Sequence, residues 1–168
     1  MKVYLDACVI DWLLDDARSA DFLALIRERR LKAFVGGDVV AEIAATPLTK
    51  GDRRLRLLSV VFGGVLRLAP TRIPIVGGRP PLGRAPLRRR SVVRSTPAPP
   101  EAAALLRKLR AIGIRKLDSV HLIEAALASV ASFVTTDKKD LLKKRPKIKA
   151  ETCVDVMRPE DVLRRLGR

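Results

Sequence analysis

The stretch that most constrains the fold lies between residues 116 and 137, in the last third of the chain. Residues 117–130 form a predicted helix, and Asp118 stands in its first turn. Residues 133–136 are a short apolar run that predicts a buried strand, and Asp137 follows it directly. An α/β fold brings the carboxyl ends of its strands and the helices that open beside them to one crevice. This stretch therefore predicts carboxylates gathered at one edge of a sheet.

The same alternation of strands and helices continues on both sides of this stretch. Residues 2–5 and 31–35 are apolar runs that predict strands, and one more strand is expected within residues 147–156. Helices are predicted over residues 19–30, 39–45, 52–61, 101–112 and 159–166, with a turn or short helix over 9–14 and a short helix over 137–144. The pattern predicts an α/β fold, a three-layer sandwich in which helices cover both faces of a central parallel sheet.

Residues 63–100 interrupt this alternation. They contain two Gly-Gly pairs, two Pro-Pro pairs and three consecutive arginines, and they contain no acidic residue. Proline and glycine at this density break periodic structure, so we expect an irregular basic segment rich in Pro, Gly and Arg. So long a loop is unusual inside a compact domain. The length of 168 residues nevertheless favours a single domain over residues 1–168.

The charge balance points to the kind of partner. Lys and Arg number 34 against 18 Asp and Glu, which gives a net charge of +16. A charge this large favours a polyanionic partner, most often a nucleic acid, although a solvated basic surface or an acidic protein partner would also account for it. Aromatic residues make up only 4% and are scattered, so no platform for stacking bases is visible.

Cysteine use and hydropathy indicate a cytoplasmic protein with no membrane partner. Cys8 and Cys153 lie far apart and form neither a disulfide framework nor a zinc pattern, which fits a reducing compartment. The first apolar run contains Asp6, so it does not resemble a signal peptide. The longest uncharged apolar run, residues 57–66, is too short to span a bilayer.

Four acids are candidate metal ligands: Asp6 at the end of the first strand, Glu42 on the helix over 39–45, Asp118 and Asp137. Mg²⁺ and Mn²⁺ prefer carboxylate oxygens, and one or two such ions can promote phosphodiester hydrolysis. Each acid alone also fits an ordinary role as a turn former, an exposed helix residue, a helix N-terminal acid or a cap. Together they lie on elements that a doubly wound sheet brings to one edge, which favours a metal-dependent nuclease site.

Three neighbours of these acids are candidates for a supporting role. Ser119 and Thr136 adjoin acids and could orient them or bind a metal-bound water, although capping is an equal alternative. His121 lies three residues after Asp118, on the same side of the predicted helix. It could contact a substrate phosphate or support an acid, and a purely structural role is the alternative.

Four segments resemble the motifs of PIN-domain nucleases. Residues 4–10 (YLDACVI) resemble the opening motif, in which an apolar strand ends in Asp. Residues 39–42 (VVAE) resemble the second motif, with its helix Glu, and this likeness is the weakest. Residues 117–122 (LDSVHL) and 133–137 (FVTTD) resemble the third and fourth motifs, which are the most specific.

The resemblance covers roughly residues 1–48 and 101–165. It implies a PIN fold, a Mg²⁺- or Mn²⁺-dependent endoribonuclease, and kinship with VapC-like toxins of type II toxin–antitoxin pairs. It also implies RNA as the substrate, an antitoxin protein as a partner, and a homodimer. By the same resemblance, water attacks the phosphodiester without a covalent intermediate. The catalytic, metal-binding acids would be Asp6, Glu42, Asp118 and Asp137.

The chain departs from the family pattern at two positions and in its middle. Cys8 stands where the family commonly has Asn or Ser, and Lys139 stands where a further acid is frequent. Asp140 follows and either takes the place of that acid or faces solvent. A catalytically weak or inactive PIN-like module that binds RNA or protein is therefore a second hypothesis. Phosphoryl transfer through Asp6 as a nucleophile is disfavoured, because the haloacid-dehalogenase pattern needs a second Asp at position 8.

Overall fold

The computed structural model describes residues 1–45, 51–64, 66–67 and 99–168. Most of the predicted irregular basic segment, residues 65 and 68–98, therefore lies outside the described residues. At the beginning of that segment, a helix continues to Gly64 and Leu66–Arg67 form a short strand.

Five parallel strands form one sheet in the described part of the chain. They are β1 (Lys2–Leu5), β2 (Lys32–Val35), β3 (Leu66–Arg67), β4 (Ser132–Val134) and β5 (Asp155–Met157). Their order is β3-β2-β1-β4-β5, and every pairing is parallel. Strands β2 and β3 therefore lie on one side of β1, and β4 and β5 lie on the other. In an α/β sheet a crevice opens where the strand order reverses in this way, here at the carboxyl ends of β1 and β4.

Helices connect these strands and cover the sheet. They are α1 (Ala7–Asp15), α2 (Ser19–Arg27), α3 (Gly37–Ala44), α4 (Gly51–Gly64), α5 (Pro100–Ala111), α6 (Lys116–Leu127), α7 (Arg145–Thr152) and α8 (Pro159–Arg165). Helices α1 to α4 contact one another, and α5 to α7 form a second group. The predicted fold class, a parallel sheet with helices on both faces, is confirmed. None of the helices in the described ranges has the length and apolarity needed to cross a membrane.

The central strands are buried on both faces. Val3, Tyr4 and Leu5 of β1 have no exposed surface, and all three residues of β4 are buried. Such continuous burial is typical of parallel strands, because helices exclude water from each face. The ring of Tyr4 stacks on Phe133 of β4 with the centroids 5.3 Å apart, which joins the two strands that carry the candidate site.

The region after Asp137 differs from the prediction. The short helix expected over 137–144 is a turn followed by a 3-10 helix, Leu142–Lys144. Helix α7 then occupies much of the window in which only a strand was predicted, and β5 lies at the end of that window. The sequence does not predict this helix because few of its side chains face the core. Among its described residues, only Ile148 and Thr152 are buried. Hydrophobic periodicity is therefore weak in this segment.

Candidate active site

Three aspartates lie together beyond the end of β4. Asp118 comes from the first turn of α6, whereas Asp137 and Asp140 belong to the turn that follows β4. One carboxylate oxygen from each lies within 4.8 Å of the others. Asp137 shapes its own turn, because its Oδ1 accepts hydrogen bonds from the backbone N–H groups of Lys139 (3.0 Å) and Asp140 (3.1 Å). The structure thus brings two of the predicted metal ligands together with Asp140.

Arg115 lies among these three acids. Its Nε is 2.9 Å from Asp118 Oδ2 and 3.2 Å from Asp140 Oδ2, and a terminal nitrogen is 3.1 Å from Asp137 Oδ2. The hydrogen bond to Asp118, together with the charges of Asp118 and Asp140, raises the pKa of Arg115. In the sequence, Arg115 is not distinguished from the many other cations of the chain. The only sequence feature that could have indicated its role is its spacing of three residues from Asp118, which allows the two side chains to pair.

Asp6 is buried at the carboxyl end of β1. Its Oδ1 accepts a hydrogen bond from the backbone N–H of Ala7 (2.9 Å), which caps α1. Its Oδ2 accepts a hydrogen bond from Thr135 Oγ1 (2.8 Å). The same threonine oxygen accepts the backbone N–H of Asp137 at 3.1 Å. Thr135 therefore connects Asp6 to the turn that carries Asp137 and Asp140.

Thr135, and not the neighbouring Thr136, provides this hydroxyl. Successive side chains leave an extended strand on opposite sides, so a shift of one residue changes the surroundings completely. Thr136 instead donates its backbone N–H to Cys8 Sγ at 3.3 Å. The thiol of Cys8 lies 3.2 Å from Asp6 Oδ2 and donates to it. Burial and then the charge of Asp6 raise the pKa of Cys8 to about 11, so the thiol stays protonated and can keep donating.

His121 lies on α6 about one turn after Asp118 and is almost fully buried. Its Nδ1 is 3.5 Å from Asp6 Oδ1, which is an ion-pair distance rather than a hydrogen bond. Neither ring nitrogen has a hydrogen-bond partner among the residues that the structure describes. Burial alone would lower the pKa of His121, but Asp6, with Glu124 and Glu42, outweighs burial and raises it.

The pKa of Asp6 moves in the opposite direction. Burial alone would raise it, but the interactions with His121, Thr135 and Cys8 more than offset burial and hold it below its usual value. Asp6 is therefore a carboxylate that stays ionised although only 8% of its surface is exposed. An ionised, oriented carboxylate in a buried position is a feature expected of a functional site.

The remaining predicted residues take different positions. Glu42 is exposed on α3, although part of its surface is covered. This partial burial and the charges of Asp6 and Asp118 raise its pKa. Asp6 and Asp118 therefore lie within electrostatic range of Glu42. Asp118 itself has a raised pKa, mainly through burial and despite its pairing with Arg115. Ser119 is buried and donates its hydroxyl to the backbone carbonyl of Arg115 at 2.8 Å, which fixes the beginning of α6.

A buried hydrogen-bond network that the sequence patterns do not predict holds α6 against β1. The hydroxyl of Tyr4 donates to Glu124 Oε2 (2.6 Å) and accepts the backbone N–H of Gly36 (3.1 Å). Burial raises the pKa of both Glu124 and Tyr4. One feature of the sequence could have indicated this network: Glu124 stands among the apolar residues of α6. A buried carboxyl group needs a hydrogen-bond partner. This network positions Asp118, on α6, relative to Asp6, at the end of β1.

The donor set of this site is chemically suited to a hard divalent cation. Asp118, Asp137 and Asp140 present carboxylate oxygens close enough for one ion to contact all three. Clustered carboxylates repel one another unless a cation compensates them. In the structure, the guanidinium of Arg115 supplies one positive charge against these three acids, which is partial compensation.

Comparisons with known proteins agree with the fold. No protein-family model matches the sequence, and no curated protein matches it either. Among solved structures, the chain is similar to the crystal structure of VapBC2 from Rickettsia felis bound to a DNA fragment from their promoter. The TM-score is 0.54, the identity is 12%, and the match covers 94% of this chain and 98% of that chain. At this identity the likeness concerns the fold, and it agrees with the PIN-like α/β sandwich.

Proposed function

We propose that this protein is a Mg²⁺- or Mn²⁺-dependent endoribonuclease that acts as the VapC-like toxin of a toxin–antitoxin pair. The observation that carries the proposal is the cluster of Asp118, Asp137 and Asp140, joined to Asp6 through Thr135 at the carboxyl edge of the sheet. The similarity of the fold to VapBC2 supports the toxin class and an antitoxin partner. The resemblance to PIN motifs supports a homodimer and RNA as the substrate.

In this proposal, the three clustered aspartates hold the metal ion. When bound there, such an ion would supply an activated water for attack on a phosphodiester and positive charge to compensate the phosphate. Asp6 contributes a fixed negative charge, because Thr135, Cys8 and the N–H of Ala7 hold its carboxylate in one orientation. Glu42 is exposed and has a raised pKa, which suits it to exchange a proton with solvent or substrate.

A binding module without strong catalysis is the second candidate. Arg115 favours it, because a guanidinium that already pairs with all three acids compensates part of their charge and so reduces the need for a metal. Such a module would bind RNA through its positive charge of +16 without cutting it.

Cleavage of a mixed RNA pool distinguishes the two candidates. We expect the protein to cut RNA with Mn²⁺ or Mg²⁺ and to lose this activity in a chelator, because the acids alone cannot activate water. Gel analysis of the products and a parallel RNA-binding assay are the measurements. RNA that is bound but stays intact with either metal would contradict the nuclease proposal and support the binding module.

The Arg115→Gln variant should bind Mn²⁺ several-fold more tightly than the wild type. In the wild type, an entering ion must displace a guanidinium that pairs with three carboxylates. Glutamine removes this competitor and leaves the acids with uncompensated repulsion that a metal relieves. Titration calorimetry measures the affinity.

The matched control for Arg115 is Arg107→Gln, which removes the same charge from an exposed position on α5. Without metal, Arg115→Gln should also unfold at a lower temperature than Arg107→Gln, and added Mn²⁺ should narrow the difference. Weaker Mn²⁺ binding by Arg115→Gln than by the control would mean that Arg115 supports the metal instead of competing with it.

A further inference from the structure

A basic cleft lies beside the edge strand β5 and shares no residue with the acidic site. Its volume is about 570 Å³, and it is formed by α7, β5 and α8. Val156 and Met157 of β5 are among the residues that line it. Four basic side chains line it: Arg145 and Lys149 from α7, and Arg164 and Arg165 from α8. Two acids, Asp155 and Asp161, also line the cleft.

The two acids compensate only part of the positive charge of the cleft. Asp155 is shared between Arg165, at 3.0 Å, and Lys149, at 3.9 Å. Asp161 lies 3.7 Å from Arg164, and its other carboxylate oxygen accepts the backbone N–H of Arg158. The side chain of Arg145 makes no ion pair or hydrogen bond to any residue that the structure describes. Unused donors therefore remain in the cleft for an anionic ligand.

We propose that this cleft binds phosphate groups of an RNA strand, as a second contact outside the acidic site. The identity of the strand as RNA rests on the proposed nuclease function. Arg145 and Lys149 are four residues apart on α7 and therefore lie on one face of that helix, while Arg164 and Arg165 line the cleft from α8. An arginine presents a planar group of donors that matches the oxygens of a phosphate, and lysine adds a compact positive charge.

The chain itself connects the cleft to the acidic site. The turn that contains Asp137 and Asp140 leads through residues 141–144 into Arg145, the first residue of α7. Lys138, Lys139 and Lys143 are exposed along this connection. These lysines add exposed positive charge to the stretch of chain between the acids and the cleft, which favours contacts with a polyanion in this region.

RNA binding by a cleft double variant tests this inference. Arg145→Gln/Lys149→Gln should bind a fluorescein-labelled single-stranded RNA more weakly than the wild type. If two phosphate contacts are lost, the slope of log K against log salt concentration should become shallower by about 1.4. Fluorescence anisotropy over a salt series is the measurement. A chelator in every sample prevents cleavage, so the result does not depend on catalysis.

The control is Arg107→Gln/Lys147→Gln, which removes the same charge from exposed positions that do not line the cleft. Lys147 lies on the same helix as the cleft residues Arg145 and Lys149. The slope of this control should stay near that of the wild type. A third variant, Arg145→Lys/Lys149→Arg, keeps both charges in the cleft and should keep the wild-type slope, which separates lost contacts from a damaged helix.

Equal slopes for the cleft and control double variants would overturn the inference, because the effect would then reflect total charge alone. The failure of the nuclease proposal is visible separately. If no metal-dependent cleavage occurs but the slope of the cleft variant is shallower, the nuclease proposal is rejected and the proposal that the cleft binds phosphate is retained. If metal-dependent cleavage occurs but the cleft and control variants have the same slope, the nuclease proposal is retained and the proposal that the cleft binds phosphate is rejected.

Discussion

Replacing Asp118 with Asn is expected to abolish metal-dependent RNA cleavage and to leave the fold intact. Asn keeps the shape of the side chain but removes one of the three negative charges that gather around the candidate metal position. Residues that only support a metal ligand cost roughly 10–100-fold in activity or affinity when they are changed, so a direct ligand should cost more. Single-turnover cleavage of RNA with saturating Mn²⁺ measures the loss.

The fold of Asp118→Asn should survive because the carboxylate is destabilised in the native state. Burial raises the pKa of Asp118, and the negative charge of Asp6 adds to this effect. Removal of the charge therefore relieves desolvation and repulsion, which offsets the loss of the exposed ion pair with Arg115. Thermal unfolding in the absence of metal should show a transition close to that of the wild type.

Asp21→Asn is the matched control for this change. Asp21 also stands in the first turn of a helix, α2, but it is exposed and lies outside the acidic cluster. Both substitutions remove an acid from the positive end of a helix dipole, so any effect of the dipole is shared. The control should cut RNA at the wild-type rate. Wild-type cleavage by Asp118→Asn would exclude Asp118 as a metal ligand.

Gly36→Ala is expected to destabilise the protein by about 2–3 kcal/mol, which is the cost typical of overpacking combined with a disturbed buried hydrogen bond. An added Cβ would overlap the Glu124 carboxylate and the Tyr4 hydroxyl. Both groups are buried and bonded to each other, so neither can withdraw cheaply. The backbone of Gly36, at φ −80° and ψ 166°, suits any residue, so space and not conformation requires glycine here.

Gly63→Ala is expected to have the opposite effect and to make the protein more stable. Gly63 lies in α4, and a Cβ there meets nothing within 4 Å among the described residues. Alanine should therefore stabilise the helix by about 0.5–1 kcal/mol. Urea unfolding of both variants measures the difference. A Gly36→Ala protein as stable as the wild type would show that α3 or Glu124 moves aside easily, and the network would then not hold α6 rigidly against β1.

The sequence alone was sufficient for the order of most elements, with α7 and β3 as exceptions, and for the edge at which Asp118 and Asp137 lie. Strands β1, β2 and β4 are short, mainly apolar runs, and α5 has apolar residues at the helical period, and both patterns are visible without tertiary contacts. Parallel strands in an α/β sheet have a common carboxyl edge, so Asp118 and Asp137 could be assigned to one site before any distance was known. Their roles as metal ligands remain predictions.

Only the tertiary structure decided which side chains meet at that edge. Arg115 contacts Asp137 and Asp140 across more than twenty residues of chain, and Tyr4 bonds Glu124 across more than a hundred. Such contacts depend on how helices pack on the sheet, and no local period of the sequence records that packing. The same reason applies to the basic cleft, whose walls come from helices before and after β5. Local patterns determine the elements, whereas long-range packing determines the partners of each charge.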